Sequence, residues 1–489
     1  MIRNNSNTVQ ALWVGISQFS SFALALVSAA ILSRYFEKAE YGTYKQIIYI
    51  YSILLSIFDA GLPAAYAYFL PKLSANQGKE LISRLTNLFV FLGAIFSIFL
   101  FTTSGLIADI LKNPELERGL KLFSPIPILM MPTLGVEGVY TAIRKTSQLA
   151  IYTTITRLGM LALITLPVII LKGTYETAII GWIFSSILSF VLALYYKNKP
   201  FRGLKRELNS VPYKLILDYT VPIMVASLAG TALLSADQFY ISRYFGRETF
   251  ADYSNGFVPL PFVGMITGSI HAVFVPLFSN YTTKDNGNFL IAQTWKSGAS
   301  KSIIILFPLL IFFMFYAKEV IYVLYGPLYD RSHIYFRLAM ILNFASPLLY
   351  YSILLATGKT KTYANLHIVG AFLIWTLGYL VCKVGNSPVL YVALSVFIAL
   401  GLRSTGLLLA AKTIRAHFVD LLDLKSIFTI LIICIFIGLV TKLTTDLITD
   451  NLIFTLIIGG STYFGMILLF DRWLKLDILK TANSILRKK

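Results

Sequence analysis

The chain has 489 residues, of which 57% are hydrophobic and 13% charged, with a mean hydropathy of +0.73. A soluble globular protein carries about 25% charged residues, so this composition leaves too few charges for a water-facing surface and excludes a soluble enzyme, a disordered chain and a coiled coil. Lys plus Arg number 42 against 23 Asp plus Glu, a net charge of +19; in so apolar a chain that excess marks loops facing anionic lipid rather than nucleic-acid binding.

A bilayer core of about 30 Å needs about 20 apolar residues per crossing helix. Taken in chain order, apolar windows fall at 9–33, 45–70, 85–108, 119–143, 149–171, 175–196, 215–242, 253–277, 297–317, 334–357, 362–383, 388–411, 426–445 and 451–471. They predict an all-α polytopic membrane protein of about 14 transmembrane helices. The first window is too long for a signal-peptide core and is interrupted by Gln18, so it reads as a retained span. Cys382 and Cys434 lie in apolar runs and imply no disulfide framework.

Orientation follows from Lys and Arg. Assigned to the nearest helix end, most fall on the side of the N-terminus, above all Lys197, Lys199, Arg202, Lys205, Arg206 and Lys214 between spans six and seven. Both termini are therefore expected in the cytoplasm. The tail 472–489 places Leu474, Ile478, Ala482, Ile485 and Leu486 on one helical face among basic residues, as an interfacial helix does. The stretch Ile414 to Leu424 reads the same way.

Self-comparison shows a repeat. Ser33-Arg34-Tyr35-Phe36 recurs as Ser242-Arg243-Tyr244-Phe245, 209 residues later. Phe69-Leu70-Pro71 resembles Phe274-Val275-Pro276 at an offset of 205, and Lys145-Thr146 resembles Lys359-Thr360 at 214. Six spans separate the copies, so the repeats are parallel and a pseudo-two-fold axis along the membrane normal is expected. The expected organisation is an N-terminal six-helix lobe (1–200), a C-terminal six-helix lobe (201–412), two appended helices (413–471) and the basic tail (472–489).

Charged groups inside a membrane are costly and mark functional positions. Asp59 lies 11 residues from the inner end of span two, roughly 16 Å deep at 1.5 Å per residue. Its repeat counterpart is Gly264, so the shared scaffold does not explain it. Glu137 and Arg157 lie at similar depths in spans four and five, placed for an ion pair that either joins two helices or belongs to a ligand site. Arg403 lies deep in span twelve without an obvious local partner, which suits an anionic ligand. His271 sits in span eight, Asp237 near the outer end of span seven, and Arg34 and Arg243 at outer helix ends. Prolines within spans, Pro63, Pro132, Pro222 and Pro261 among them, permit bends. No Walker phosphate loop and no metal-site spacing occurs, so no cofactor is expected.

Ser33-Arg34-Tyr35-Phe36, Glu40-Tyr41-Gly42-Thr43-Tyr44 and Asp59-Ala60-Gly61-Leu62 together resemble the start of Wzx-type oligosaccharide flippases of the multidrug/oligosaccharidyl-lipid/polysaccharide exporter superfamily. The resemblance implies alternating access of two lobes in the bacterial inner membrane. It implies as cargo an undecaprenyl-pyrophosphate-linked oligosaccharide, with membrane lipid and other polysaccharide-assembly membrane proteins as partners and no nucleic acid. Arg157, Arg403, Arg34, Arg243 and His271 are then the candidates for meeting the anionic cargo in a cavity. Asp59, Glu137 and Asp237 are the candidates for coupling to a proton or sodium ion. The chain has no arginine between Arg3 and Arg34, unlike the lipid II flippase, which counts against lipid II as cargo. A multidrug/cation antiporter of the same superfamily is the alternative, but it favours a cavity dominated by acids. A membrane polymerase or glycosyltransferase is disfavoured, because no outer loop is long enough for a catalytic domain.

Overall fold

The structure, a computed structural model, describes residues 7–207, 211–385 and 387–474. Helices account for every regular element among them. The basic tail lies outside these residues apart from the end of the last helix.

α1 (Asn7–Tyr35) leads into α2 (Lys38–Phe58), which breaks and resumes as α3 (Pro63–Phe69). At the break Ala60 and Gly61 have φ of 50° and 66°, and Pro63 restarts the helix with its φ already suited to a first turn. The 37-residue α4 (Ala75–Leu111) opens with a capping box: Gln77 N–H donates to Ser74 Oγ, and Ser74 N–H donates to Gln77 Oε1. The fourth span comes in pieces, α5 (Glu115–Phe123), α6 (Ile126–Met130) and α7 (Val136–Ala142). Pro125, Pro127 and Pro132 each remove a helix donor there. α8 (Thr146–Leu171) and α9 (Tyr175–Asn198) are continuous.

α10 (Tyr213–Gly256) carries a non-helical Gly246, and α11 (Pro261–Tyr281) and α12 (Gly287–Phe315) follow. Next come α13 (Ala317–Tyr325), α14 (Ser332–Asn343) and α15 (Tyr350–Ala356), then α16 (Thr360–Val384) and α17 (Pro388–Thr413). A single turn, α18 (Phe418–Leu421), precedes α19 (Leu424–Ile448) and α20 (Leu452–Leu474). Among the described residues 11 helices are long and apolar enough to cross a membrane, or up to 13 if each of two bent pairs is one span. The window 334–357 is not one helix, because Phe344–Leu349, with Pro347, separates α14 from α15.

The repeat seen in sequence reappears in the element order. α7 and α15 begin and end 214 residues apart, and the left-handed Arg144 (φ 56°) has Gly358 (φ 74°) at the same offset. Packing divides the chain into two units, Met1–Ala251 and Asp252–Lys489.

In the first unit Tyr51 stacks on Phe96, and Phe123 and Trp182 close the same aromatic core. A buried polar chain crosses it: Asn113 Nδ2 donates to Thr43 Oγ1 and Gln46 Oε1, and Gln46 Nε2 donates to Ser242 Oγ of α10 at 2.7 Å. In the second unit the core surrounds Trp295, Phe278, Ile353 and Leu407. It also takes up Ile414 and Leu421 of the stretch expected to lie on the membrane, while Val419 and Leu424 of the same stretch are exposed. α19 and α20 pack through Cys434, Ile437 and Tyr463 onto Phe312 and Tyr316. Tyr463 donates its hydroxyl to the Pro308 carbonyl at 2.9 Å. Ile98, Ile170, Phe397 and Leu447 are exposed on spanning helices, a surface that lipid tails cover at no cost in hydration.

Candidate functional site

The first unit carries an open cavity of about 550 Å³. α1 contributes Ser17, Gln18 and Ser21, one face of a helix by their i, i+1, i+4 spacing. The break between α6 and α7 contributes Thr133, Leu134 and Gly135, and the first turn of α7 contributes Val136 and Glu137. α8 adds Tyr152, Thr153, Thr156, Arg157 and Met160, and α9 adds Ser189. The walls thus offer hydroxyl and amide groups from four spans, with one guanidinium and one carboxylate.

Arg157 donates Nη1 to the Met160 sulfur at 3.3 Å, a weak acceptor. The phenols of Tyr51 and Tyr152 are its electrostatic neighbours. Among the described residues no carboxylate lies within ion-pair distance of it. The expected Glu137–Arg157 ion pair is therefore absent: the two residues line one cavity without meeting. Similar depth set them at one height, but between Pro132 and Val136 the backbone leaves the helical path, with Gly135 at a φ of 85°, so depth along the span does not fix the direction in which Glu137 points. Glu137 is exposed to the cavity and has no cation within ion-pair distance among the described residues.

The remaining expected residues lie elsewhere. Asp59 caps α2, and its Oδ1 accepts the Gly61 N–H at 2.9 Å, an Asx turn that shapes the break. It does not line the cavity. Gly61 is required there twice over: its φ is positive, and a Cβ would come within 2.6 Å of the Thr220 carbonyl on α10. Asp237 is buried on α10. Arg34 is exposed at the end of α1, and Arg243 donates to the Ile110 carbonyl at the end of α4.

In the second unit Arg403 does have partners. Its Nη1 donates to the Leu342 carbonyl at 3.1 Å and to Ser346 Oγ at 3.2 Å, across the break between α14 and α15. Tyr350 and Tyr351 are its electrostatic neighbours. His271 Nδ1 lies 2.8 Å from Ser352 Oγ, and its ring is 4.3 Å from that of Tyr351. Arg403 and His271 thus belong to one tyrosine-rich region of the second unit.

Two cations were missed. Lys197, assigned to a loop as the first of a basic run, is completely buried on α9. Lys45, assigned to the head of span two, lies a full turn and more inside α2, 5.2 Å from the centre of the Tyr41 ring. The polar face of α1 was legible in the spacing of Ser17, Gln18 and Ser21, of which only Gln18 was noted.

This arrangement can be set beside known proteins. A family described as polysaccharide biosynthesis protein matches residues 31–333. No curated protein matches the chain. Among solved structures, a MOP superfamily transporter from Pyrococcus furiosus Vc1, described as having a binding pocket of reverse polarity that suggests a different function, is 13% identical with a TM-score of 0.59; the match covers 83% of this chain and 95% of that one. A multidrug resistance MATE family transporter of the MOP superfamily in an inward-facing conformation is 12% identical with a TM-score of 0.57, covering 85% and 96%. A MATE in complex with MaD3S is 11% identical with a TM-score of 0.58, covering 83% and 95%. The fold is that of these multi-pass membrane transporters, and by its match over residues 31–333 the chain belongs to the polysaccharide biosynthesis protein family.

Proposed function

We propose that the chain is a flippase that moves an undecaprenyl-pyrophosphate-linked oligosaccharide across the bacterial inner membrane by alternating access, with both termini in the cytoplasm. The observation that carries this reading is the lining of the first unit's cavity: hydroxyl and amide groups from four spans around an arginine with no carboxylate in ion-pair distance among the described residues. Sugar hydroxyls lose water on entering a membrane and need replacement partners, which Ser17, Gln18, Ser21, Thr153, Thr156 and Ser189 supply. A guanidinium presents a planar fork of donors that fits phosphate oxygens. Membership of a polysaccharide biosynthesis family supports this reading.

Glu137 is the coupling candidate that the geometry favours, because it faces the cavity with no cation in ion-pair distance among the described residues, whereas the Asp59 carboxylate is engaged by the Gly61 N–H. The same unneutralised Glu137 also fits a second reading, exchange of cationic compounds for ions. Arg157→Ala and Glu137→Gln, compared at matched protein levels, separate the two. Loss of surface glycan in Arg157→Ala by about tenfold or more, the scale of one hydrogen bond to a charged group, supports the flippase. Normal surface glycan in Arg157→Ala, with cation efflux lost in Glu137→Gln, overturns it.

A further inference from the structure

Lys197 has no exposed surface, and among the described residues no carboxylate pairs with it. Its Nζ donates to the Pro132 carbonyl at 2.7 Å and to the Tyr66 hydroxyl at 3.1 Å, and lies 5.4 Å from the centre of the Phe89 ring. Burying an ammonium without a counter-ion is costly, so a neutral donor would serve better if holding the helices were all that was needed.

The second half of the chain provides that comparison. By the repeat offsets of 205 and 214 Tyr66 corresponds to His271, Gly138 to Ser352 and Lys197 to Ala411. There the His271 ring nitrogen meets Ser352 Oγ, and the Trp295 indole donates to the Leu349 carbonyl at 3.2 Å. A carbonyl at the break in the tenth span is thus satisfied by a neutral indole, and Ala411 is buried where the lysine would be. Ser346, the counterpart of Pro132 at the offset of 214, is instead held by the Arg403 guanidinium, so both halves bring a cation to this break, from different positions on the helices.

In the first half the joining group is Lys197. Pro132 immediately precedes Thr133 to Glu137, the segment that forms one wall of the cavity. Tyr66 lies on α3, directly after the break at Asp59–Leu62. We propose that Lys197 is a positioning residue: its ammonium fastens the half-helix α3 to the cavity wall, so that the break at 59–62 and the wall carrying Glu137 move as one body. The inference rests on the cavity being the working site, but its test needs no cargo.

The test measures labelling of Thr153→Cys, on the part of the cavity lining that α8 supplies, by a water-soluble maleimide, in protein whose Cys382 and Cys434 are replaced by Ala. Lys197→Gln keeps a donor and removes the charge; Tyr66→Phe removes one hydroxyl. Each is expected to elute as a single species and to raise the labelling rate about threefold to tenfold, the range that one lost hydrogen bond gives. Lys197→Arg is expected to restore the parent rate. Parent-like labelling in both Lys197→Gln and Tyr66→Phe overturns the proposal, even with a lowered melting temperature, because that outcome is a purely structural role. If Lys197→Gln does not fold, Tyr66→Phe alone decides. Normal surface glycan in Arg157→Ala would remove the cargo assignment and leave this result standing.

Discussion

Gly135 lies flat against Tyr66: a Cβ built on the glycine would stand 2.1 Å from the phenol ring. Its φ of 85° also places it in the left-handed region. Gly135→Ala therefore combines backbone strain with an overlap against a buried ring that Lys197 holds in place. The expected loss is about 2–4 kcal/mol of stability, read as a lower melting temperature in detergent. An unchanged melting temperature would mean that the break relaxes freely.

Arg403 bridges the break between α14 and α15 through a carbonyl and a hydroxyl. Arg403→Ala is expected to reduce surface glycan about tenfold at matched protein levels, the scale of one charge-assisted hydrogen bond. Arg403→Lys is expected to recover only part of it, because an ammonium lacks the planar fork. Full activity in Arg403→Ala would confine the arginine to packing.

Lys442 of α19 pairs with Glu319 of α13 at 2.7 Å and with Asp446 at 2.6 Å. The Glu319 side chain is 2% exposed. Lys442→Met strands that carboxylate and is expected to cost about 2–4 kcal/mol, toward the lower end of values for buried pairs because the lysine is partly exposed. Adding Glu319→Gln should return most of the loss. A double variant that is no better than the single would show that the two groups are not coupled.

Asp423 caps α19, accepting from the hydroxyl and N–H of Ser426. The Ser426 hydroxyl holds its carboxyl below the ordinary 3.8. A depressed carboxyl contributes stability that is full above its unfolded pKa and is lost as pH falls through the folded value. At neutral pH Asp423→Ala is expected to cost about 1 kcal/mol. The gap between parent and variant should close as the pH drops below about 4. A gap independent of pH down to about 2 would place the effect elsewhere.

Much of this was legible in the sequence because it depends on local chemistry. Apolar windows marked the spans, and the three repeat offsets anticipated the matching of α7 with α15; prolines signalled that spans could bend, but not that the fourth, read as one window at 119–143, would come in pieces. Arg157 stood out because a guanidinium in an apolar run is rare. What a single strand of text could not give was azimuth. Glu137 and Arg157 share a depth, but depth says nothing about which way each helix face turns. Lys197 was assigned to solvent because lysines at helix ends usually snorkel; its burial depends on Phe89 and Tyr66, more than a hundred residues away. The window 334–357 looked like one span because hydropathy averages over a break.

One dimension of α4 has a further consequence. Its 37 residues extend about 55 Å at 1.5 Å each, far beyond a hydrocarbon slab of about 30 Å, and a tilt of even about 40° would not hide the surplus. The rod must therefore emerge into the headgroups or the water beyond. At its first turns Lys79 and Arg84 hold the carbonyls of Leu204 and Val211, and Gln77 reaches Glu207. The overhang thus serves as a mooring post for the link between spans six and seven, and shortening α4 by two turns at that end would set the link adrift while leaving the spanning portion long enough.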